Sequence, residues 1–533
     1  MRRLFLVILT LAVCVAAQAQ TPNLNVLRMN GGIKPALQLN FTTANVANPN
    51  VSGVGCPTFQ SCVTFSRASN AMMMDSTGAL TFAPNNLLFP TTGWGTQTVT
   101  VASGTNFILS FNVASTATIT GSSGCVFSAV GGSAGAYTKT FTSTGTSCIL
   151  TLGGSGGVTN PILAQVTYET TPRPMDALYC ATTTSAACYG PRVNDWTSGI
   201  ANGFLLEEQR TNLAQNNLNM AASPWASSTS GSGTVSATAA SGTSPDGTTN
   251  ATLITVQRSS ALDGATRYQS FLGTAAVYSG DLFVKAYAAG DVGKTIYIQP
   301  YNGSSVGVSG SVALSASWQK LPASATMAAS ASCNFSIGLP GGIGSQTGTV
   351  NFLAAYANFE LGAFNTSPIP TPTSSTVTRA ADVAQATGPL LTTLRGDGWS
   401  FFTGFKLESL PVGGGTSLLV AGTLPYDTPL YATATPSVGS YSVAYGGLTI
   451  GGGLVVNTLY EAAVATNSSG RSITYNGISP VMDSNKVFVS SQPQLTINAG
   501  NRWVPSIAVC NRRVTNSTLK ADTILGAPIR CAP

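Results

Sequence analysis

The chain has no long segment in which Ala, Glu, Lys and Leu recur with helical spacing. Short runs of alternating apolar and polar residues occur instead, separated by Gly, Ser, Thr and Asn. The 57 glycines and the aromatic content of 8% suit many short strands joined by turns. The sequence therefore predicts an all-β fold of tandem β-sandwich domains, and 533 residues are enough for about three of them.

Charge is sparse, since charged residues make up 8% of the chain and the formal net charge is +6. Removal of a leader containing Arg2 and Arg3 would reduce the 24 basic residues to 22, against 18 acidic residues. A net charge of +4 spread over such a chain attracts a phosphate backbone only weakly. We therefore expect no nucleic-acid partner.

Residues 1–19 have the order of a secretory signal peptide. Arg2 and Arg3 precede an apolar core at 4–15, and Ala-Gln-Ala at 17–19 is a small-x-small cleavage signal. The apolar run is about 12 residues long, whereas a membrane-spanning helix needs about 20. The pattern favours a cleaved leader over a buried first helix or an integral membrane span, and so predicts an exported protein.

The cysteines agree with export. Eight of them form four close-spaced pairs, which suit local disulfides in an oxidising compartment: Cys56 with Cys62, Cys125 with Cys148, Cys180 with Cys188, and Cys510 with Cys531. Reduced, buried thiols are the alternative, and Cys333 stands outside the pairs. The chain has no histidine and no C-x-x-C spacing, so no metal site is predicted.

The densest charge cluster lies at residues 204–213, where three apolar residues precede a polar run. This run is Glu207, Glu208, Gln209, Arg210, Thr211 and Asn212. The pattern predicts a strand whose end is tied by hydrogen bonds and ion pairs as the chain enters the next module. We interpret it as a junction motif.

These residues resemble the "LLIEEQRTNL" junction of a family of tailed-phage virion and prophage proteins. The family's opening "LDFTT…TFTRAS-A…D-G" is matched at 39–43 and 64–78, although residues 72–74 are Met-Met-Met where family members show Thr and a β-branched residue. Residues 190–195 are similar to the "PRFDYDP" approach, and 357–367 to the "QLE-GAF-TS-IPT" ending. In that family a carbohydrate-binding-type jelly roll follows the junction, and a concanavalin-like or laminin-G-like domain often closes the chain.

Strand patterns and the resemblance together predict the order of modules. We expect a signal peptide at 1–19, an N-terminal β-hairpin module at 20–95, a small β-sandwich at 96–168, a linker with the junction motif at 169–213, a carbohydrate-binding-type jelly roll at 214–370, a Pro-rich linker at 371–383 and a concanavalin-like or laminin-G-like sandwich at 384–533. An Asn-Gly hairpin is expected at 475–477 in the last domain.

A glycosidase is the enzymatic hypothesis to weigh, because concanavalin-like folds include glucanases. Glycoside hydrolysis uses two carboxyl groups about 5–10 Å apart across a cleft. Glu207 and Glu208 are adjacent in a predicted strand and would point to opposite faces. Without histidine the chain lacks a Ser-His-Asp triad. We expect no catalytic residues and no cofactor, although carboxylates and carbonyls could hold a structural Ca²⁺.

The resemblance implies glycan binding, and sugar sites in β-sandwiches combine exposed aromatic rings with amide and carboxylate side chains. Each candidate has a second interpretation, that of an ordinary core or surface residue. The candidates are Trp225, Tyr268, Tyr301 and Asn302 in the jelly roll, and Tyr426, Asp427, Tyr431, Tyr445 and Trp503 in the last domain.

The leading expectation is a non-enzymatic phage-type structural or host-attachment protein that binds glycans or host cell-surface polysaccharide. Phage structural proteins are assembled in the cytoplasm, whereas this chain has an export signal and paired cysteines. The alternative is therefore a secreted or surface bacterial glycan-binding protein of adhesin type, and a glycoside hydrolase is the third. The expected location is extracellular or in a virion, and a homo-oligomer is expected only by analogy with fibres.

Overall fold

The structure is a computed structural model. It describes residues 37–40, 50–53, 63–89, 91, 95–181, 183, 185–197, 200–302, 310–386, 398–407, 415–421, 427–433, 438–442, 446–451, 453–484, 495–497, 502–510, 512–525, 527, 529 and 531. The predicted signal peptide and the Cys56 and Cys62 pair lie outside these residues. The chain forms two compact units, each considered by itself. The central unit comprises 65–384 and 499–503, and the terminal unit comprises 1–64, 385–498 and 504–533.

The chain up to residue 86 forms short strands. They are β1 (Leu37–Asn40), β2 (Asn50–Gly53), β3 (Val63–Ser66), β4 (Met72–Met74), β5 (Leu80–Phe82) and β6 (Asn85–Asn86). The antiparallel hairpin β4–β5 turns at Asp75, whose carboxylate accepts hydrogen bonds from the amides of Thr77 and Ala79. Asp and Gly suit such a turn because the side chain bonds the backbone and Gly78 adopts positive φ.

Seven strands follow as a small two-sheet sandwich. They are β7 (Gln97–Thr100), β8 (Asn106–Val113), β9 (Ala117–Ser123), β10 (Phe127–Gly132), β11 (Gly135–Thr142), β12 (Ser147–Gly153) and β13 (Val158–Val166). One sheet has the order β10-β9-β12-β7 and the other β11-β8-β13. Alternate residues of β8, including Phe107, Leu109 and Phe111, enter its core.

Residues 170–203 lack periodicity, and we expected an irregular linker there. The structure contains helix α1 (Pro174–Cys180) and the strands β14 (Cys188–Tyr189), β15 (Arg192–Thr197), β16 (Ile200–Leu206) and β17 (Arg210–Asn212). Pro174 suits the first turn of a helix because its missing N–H has no intrahelical partner there. The helix has only seven residues, too few for a recognisable 3.6-residue period.

The middle of the chain is a larger β-sandwich. Its strands are β18 (Ala226–Ser230), β19 (Thr234–Gly242), β20 (Ala251–Arg258), β21 (Gly264–Tyr268), β22 (Ser270–Gly273), β23 (Ala276–Ala286), β24 (Thr295–Tyr301), β25 (Gly310–Ala313), β26 (Gln319–Met327), β27 (Ser330–Leu339) and β28 (Gly348–Leu361), with a 3₁₀ turn at Ala289–Asp291. A six-stranded sheet, β18-β21-β27-β24-β25 with β22 beside β27, faces a five-stranded sheet, β19-β20-β28-β23-β26. Ile298, Phe335, Val350 and Phe359 lie in the core between them.

The hairpin β4–β5 packs on the outer side of the five-stranded sheet. Met72 and Phe82 from the hairpin form one buried apolar cluster with Phe283 and Leu353 from the sheet. The Met-Met-Met departure from the family pattern therefore lies in a packed contact, where unbranched methionine fills irregular gaps. This contact covers part of one outer face of the sandwich.

The remaining elements are β29 (Val377–Arg379), β30 (Val383–Ala386), β31 (Gly398–Leu407), β32 (Gly415–Ala421), β33 (Asp427–Thr433), β34 (Val438–Ser442), β35 (Gly446–Ile450), β36 (Leu459–Asn467), β37 (Gly470–Tyr475), β38 (Val481–Asp483), β39 (Leu495–Ile497), β40 (Arg502–Val504), β41 (Ser506–Cys510) and helix α2 (Asn516–Asp522). In the terminal unit one sheet has the order β2-β1-β41-β31-β36-β37-β38 and another β39-β32-β33-β34-β35. Asn476 and Gly477 have positive φ between the antiparallel β37 and β38, as the Asn-Gly signal predicts. The all-β fold class is confirmed.

Candidate functional site

Five buried charged residues meet inside the central unit. They come from four separate stretches of chain: Arg67 after β3, Arg192 at the start of β15, Glu207 after β16, and Arg379 at the end of β29 with Asp382 before β30. Arg192 donates to both Glu207 and Asp382. Nη1 of Arg67 lies 2.8 Å from Oδ1 of Asp382, and Nη1 of Arg379 lies 3.2 Å from Oε2 of Glu207. We call these five residues the charge cluster.

The arginines keep both carboxyl groups of the charge cluster ionised. Burial alone would raise the pKa of Glu207, but Arg192 and Arg379 lower it to about 2. Burial opposes ionisation of Asp382 in the same way, and the three guanidinium groups hold its pKa below its usual value. Burial lowers the pKa of Arg67 to about 10, so it remains a cation at neutral pH. Three cations thus enclose two anions.

A second set of contacts joins the junction motif to the end of β28. The guanidinium of Arg210 lies 4.9 Å from the ring centre of Phe364 and pairs with Glu208. Gly362 has φ of +135°, and a Cβ built there would lie 2.0 Å from Nη1 of Arg210. Glycine suits this position because it adopts positive φ and leaves room for the Arg210 guanidinium beside the backbone.

Asn212 completes the junction through its side-chain amide. Its Nδ2 donates to the carbonyls of Ala357 and Ile369 at 2.9 Å each. Its Oδ1 accepts from the amides of Ala214 and Phe359, also at 2.9 Å. All four hydrogen bonds of the amide group are internal, which leaves none for a ligand.

The junction motif and the charge cluster are therefore structural. Arg192 and Glu207 have no exposed side-chain surface, and Glu207 also accepts from the backbone amide of Ser367 at 2.5 Å. The stretches that resemble the phage family (64–78, 190–195, 204–213 and 357–367) meet at these contacts. The predicted hydrogen bonds and ion pairs at the end of the strand are present, and they join this segment to other parts of the same chain.

Two tryptophans predicted as candidate sugar contacts lie in the interior, which corrects that expectation. Trp225 is 5% exposed, packs 5.8 Å from Phe359 between ring centres, and donates from Nε1 to the carbonyl of Gln215 at 2.7 Å. Trp503 is 7% exposed, and its Nε1 donates to Oδ2 of Asp195 at 2.7 Å. Each indole buries its ring and satisfies its single donor internally, so neither can stack on a sugar.

The candidates in the last domain are only partly described. Tyr426 and Tyr445 lie outside the described residues. Asp427 and Tyr431 are on β33, opposite Ala421 and Ser417 of β32 respectively. These four remain predictions as ligand contacts.

Three candidates, Tyr268, Tyr301 and Asn302, lie on or beside the six-stranded sheet. Tyr268 ends β21, and Tyr301 ends β24 with Asn302 next to it. Burial along β24 alternates, with Ile296 and Ile298 in the core, so Tyr301 belongs to the opposite face. The sequence candidates Tyr268 and Tyr301 thus share one outer face.

Sequence reasoning missed a third tyrosine on this face. Tyr297 precedes Tyr301 by four residues, and on a strand an even separation means the same face. The alternation of Thr295, Tyr297, Gln299 and Tyr301 was a usable signal. The hydroxyl of Tyr297 lies so close to Gly344 that a Cβ built there would be 1.8 Å from it, so the ring is closely packed. We call the outer side of the six-stranded sheet the tyrosine face.

Registry shows how the tyrosine face is arranged. Tyr301 is opposite Asn334 of β27, and Gln299 is opposite Ser336. Ser336 donates to Oδ1 of Asn334 at 3.0 Å, so β27 places two linked polar side chains between the tyrosine-bearing strands. Aromatic rings flank a strip of hydroxyl and amide groups, the combination that suits a ligand with both apolar faces and hydroxyls.

The described outward positions on this face carry no charge. They are Ala226, Ser228 and Ser230 on β18; Gly264, Thr266 and Tyr268 on β21; Ser270 and Leu272 on β22; Thr295, Tyr297, Gln299 and Tyr301 on β24; Ser311 and Ala313 on β25; and Ser332, Asn334, Ser336 and Gly338 on β27.

Three buried carboxyl groups with raised pKa values, Asp195, Asp281 and Glu360, lie away from this face. Burial raises the pKa of Asp195 to about 6 and that of Glu360 to about 7, and it also raises the pKa of Asp281. A carboxyl group with pKa near 7 is suited to proton transfer, but it must reach its substrate. All three are buried, and Glu360 accepts from the amide of Thr366 at 2.9 Å. These three lack the exposure that a glycosidase acid needs. In the terminal unit, burial also raises the pKa of Glu461 on β36 to about 7, and this side chain is only partly buried.

Among the described residues no group of three or more His, Cys, Asp or Glu side chains could hold a metal ion. Three of the four predicted disulfides are present: Cys125–Cys148, Cys180–Cys188 and Cys510–Cys531. Cys333 is buried, and its thiol donates to the carbonyl of Ala328 at 3.5 Å. The disulfides fit an extracellular or secreted protein. Within the described residues, no helix is long and apolar enough to span a membrane.

No protein-family model and no curated protein matches the chain. A Trypanosoma rangeli sialidase in complex with the inhibitor DANA is similar over 27% of this chain and 27% of its own, with 14% identity and a TM-score of 0.23. The first xylan-binding CBM22 domain of Paenibacillus barcinonensis Xyn10C matches over 30% of this chain and 99% of its own, with 13% identity and a TM-score of 0.22. A SAP-like pentraxin of Limulus polyphemus matches over 24% of this chain and 70% of its own, with 12% identity and a TM-score of 0.20. The chain spans only about a quarter of the sialidase, and similarities this low identify no family and no function.

Proposed function

We propose that this chain is a non-enzymatic glycan-binding protein whose ligand lies across the tyrosine face. The observation that carries the proposal is that Tyr268 and Tyr301 lie on the outer side of one sheet, beside Tyr297, whose ring is partly buried against the core of the sandwich. Aromatic rings can cover the apolar faces of sugar rings, and the partly exposed Gln299 and Ser336 can hydrogen-bond the hydroxyls between them.

The other outer face of the same sandwich is less suited to a ligand. The β4–β5 hairpin covers part of it through Met72, Leu80 and Phe82, which pack on Phe283 and Leu353. Because the hairpin occupies part of the outer face of the five-stranded sheet, the outer face of the six-stranded sheet offers more surface to a ligand. The tyrosine face is therefore the better candidate.

The biological setting we propose is host or surface attachment of the phage type, as the resemblance of the junction motif implies. An exported, adhesin-like protein is the second candidate, and the three disulfides favour it because such bonds persist in oxidising compartments. Mass spectrometry of purified phage particles and of culture medium distinguishes the two. Presence in particles supports the first, and presence only in the medium supports the second.

The binding proposal is tested with the purified full chain on a glycan array, followed by titration of any glycan bound. Tyr268→Ala and Tyr301→Ala should each weaken binding about tenfold or more, the loss expected when one stacked ring is removed. Tyr287→Ala is the matched control, because Tyr287 is a half-exposed tyrosine of the same sandwich that lies outside this face. Binding that survives the first two substitutions, or is absent altogether, would refute the proposal.

A further inference from the structure

The charge distribution around the tyrosine face narrows the class of glycan. We propose that this face takes uncharged oligosaccharides several sugar rings long and discriminates against chains that carry carboxylate, sulfate or phosphate groups. The inference rests on the proposed function for its choice of surface. The new element is the class of glycan, because aromatic rings alone do not distinguish neutral from charged sugars.

The described part of the tyrosine face presents no cation to a ligand. None of the described outward positions on β18, β21, β22, β24, β25 and β27 carries a charged side chain. The polar groups in its centre, Gln299, Asn334 and Ser336, are neutral amides and a hydroxyl. An anionic sugar brought onto such a surface would lose water without gaining a counter-charge.

The sandwich has two buried arginines near this face, Arg258 at the end of β20 in the five-stranded sheet and Arg267 on β21 of the six-stranded sheet. Arg258 is fully buried, and its guanidinium donates to backbone carbonyls of the 261–263 and 340–346 turns, including Pro340 at 2.7 Å and Ile343 at 2.9 Å. A guanidinium has five donors, and these carbonyls occupy them. Arg258 therefore organises turns and is not presented to a ligand.

Arg267, on β21 next to Tyr268, is occupied in the same way. Its Nε donates to the carbonyl of Met220 at 2.8 Å, and its terminal nitrogens donate to the carbonyl of Ala221 and the hydroxyl of Ser227. Arg267 is opposite Ile337, a core residue, so its side chain leaves the sheet on the inner side. Neither arginine supplies the positive charge that an acidic glycan would need.

A carboxylate lies at the rim of the tyrosine face. Asp263 directly precedes β21, and hydrogen bonds from the hydroxyl of Ser232 and the amide of Ser260 lower its pKa, so it is ionised at neutral pH. Thr266, three residues further on, is already an outward position of the face. Asp263 therefore places a negative charge at this rim, which disfavours anions there. Lys294, which directly precedes β24, is paired with Asp291 at 2.8 Å.

The spacing of the tyrosines sets the minimum length of the ligand. Four residues of a strand span about 13 Å, so Tyr297 and Tyr301 are separated by about that distance. Tyr268 lies on β21, separated from β24 by β27, which is about 10 Å across the sheet. One sugar ring cannot contact two of these tyrosines, so the ligand must contain several linked rings.

The experiment compares each neutral oligosaccharide with the same oligosaccharide after oxidation at C6 to the uronic acid. The purified full chain is titrated with both members at low and high NaCl. We expect the protein to bind a neutral hexasaccharide and to bind its oxidised partner about tenfold or more weakly. Binding of the monosaccharide should be weak, and the affinity for the neutral hexasaccharide should depend little on salt. Gln299→Lys should recover binding of the oxidised chain, and Gln257→Lys, on the exposed side of β20 in the other sheet, is the matched control.

The two proposals fail in different ways. Tighter binding of the oxidised chain that weakens with salt and is lost in Tyr301→Ala would overturn the neutral-ligand inference and leave the tyrosine face as the site. Equal binding of both members would overturn it as well. No binding of any oligosaccharide, or binding insensitive to Tyr268→Ala and Tyr301→Ala, would overturn the proposed function itself.

Discussion

The carboxylate of Asp195 accepts a hydrogen bond from the indole nitrogen of Trp503 at 2.7 Å, although the two residues are 308 positions apart. The same carboxylate accepts from the backbone amide of Met74 at 2.8 Å. Residues 499–503 belong to the central unit together with 65–384. A late segment of the chain is thus tied to an early hairpin through one buried carboxyl group, whose pKa burial raises to about 6.

Trp503→Phe should destabilise the protein by about 1–3 kcal/mol, because it leaves one oxygen of a buried carboxyl group without its donor. Phenylalanine retains much of the ring volume, so the loss reports mainly the hydrogen bond. Urea unfolding measures it, with Tyr287→Phe as a half-exposed control. Equal stability of Trp503→Phe and the parent would show that this bond contributes nothing.

Glu207→Gln should destabilise the fold by about 3–5 kcal/mol, since it leaves Arg192 and Arg379 buried with one anion fewer. Glu208→Gln is the matched control, because its side chain is 46% exposed and such ion pairs contribute little. Chemical denaturation of both variants, with the midpoint and slope fitted separately, makes the comparison. The structural assignment of the charge cluster fails if the two substitutions have the same small effect.

Gly362→Ala should destabilise the folded protein for two reasons. The residue has positive φ, and the added Cβ would lie 2.0 Å from Nη1 of Arg210. Gly348 at the other end of β28 also has positive φ, at +78°, but a Cβ there meets nothing within 4 Å. Gly348→Ala should therefore cost about 1 kcal/mol and Gly362→Ala clearly more. Thermal unfolding of both variants tests this order. The reverse order would show that Arg210 moves aside freely.

Stability should fall as the pH rises from about 5 to 8. The pKa of Glu360 is raised from 4.5 to about 7 in the folded protein, so the native state binds the proton more tightly than the unfolded state. The contribution of Glu360 to the free energy of unfolding is largest below pH 4.5, where it is on the order of 3 kcal/mol, and it is lost as the pH rises through about 7. Glu360→Gln should flatten the dependence in urea unfolding between pH 5 and 8. An unchanged slope in this variant would assign the effect to other groups.

Glu207 should make stability depend on pH in the acidic range. Its pKa is lowered to about 2 by Arg192 and Arg379, against the effect of burial. Its contribution is therefore present above about pH 4.5 and is lost as the pH falls toward 2. Acid unfolding should begin at higher pH in Arg379→Gln than in the parent chain. Identical acid transitions would contradict the ion pairing.

Several features could be predicted because they depend on neighbours in the chain. Alternation along β24 places Tyr297 and Tyr301 on one face wherever the strand lies, and Asn-Gly at 476–477 specifies its own turn. The close cysteine pairs 125/148, 180/188 and 510/531 are likewise joined. The seven-residue helix at Pro174–Cys180 was missed because it is too short to show a period.

The sequence by itself determined the all-β class and the polar tie at the end of a strand within 204–213, since both arise from local strand and charge patterns. Only the tertiary structure decided that Arg67 pairs with Asp382, 315 positions away, and that Trp225 and Trp503 are core residues. The reason is that a tryptophan serves equally well in a core and in a sugar site, and that an ion pair depends on spatial proximity. Long-range packing alone decides which of these alternatives a residue adopts.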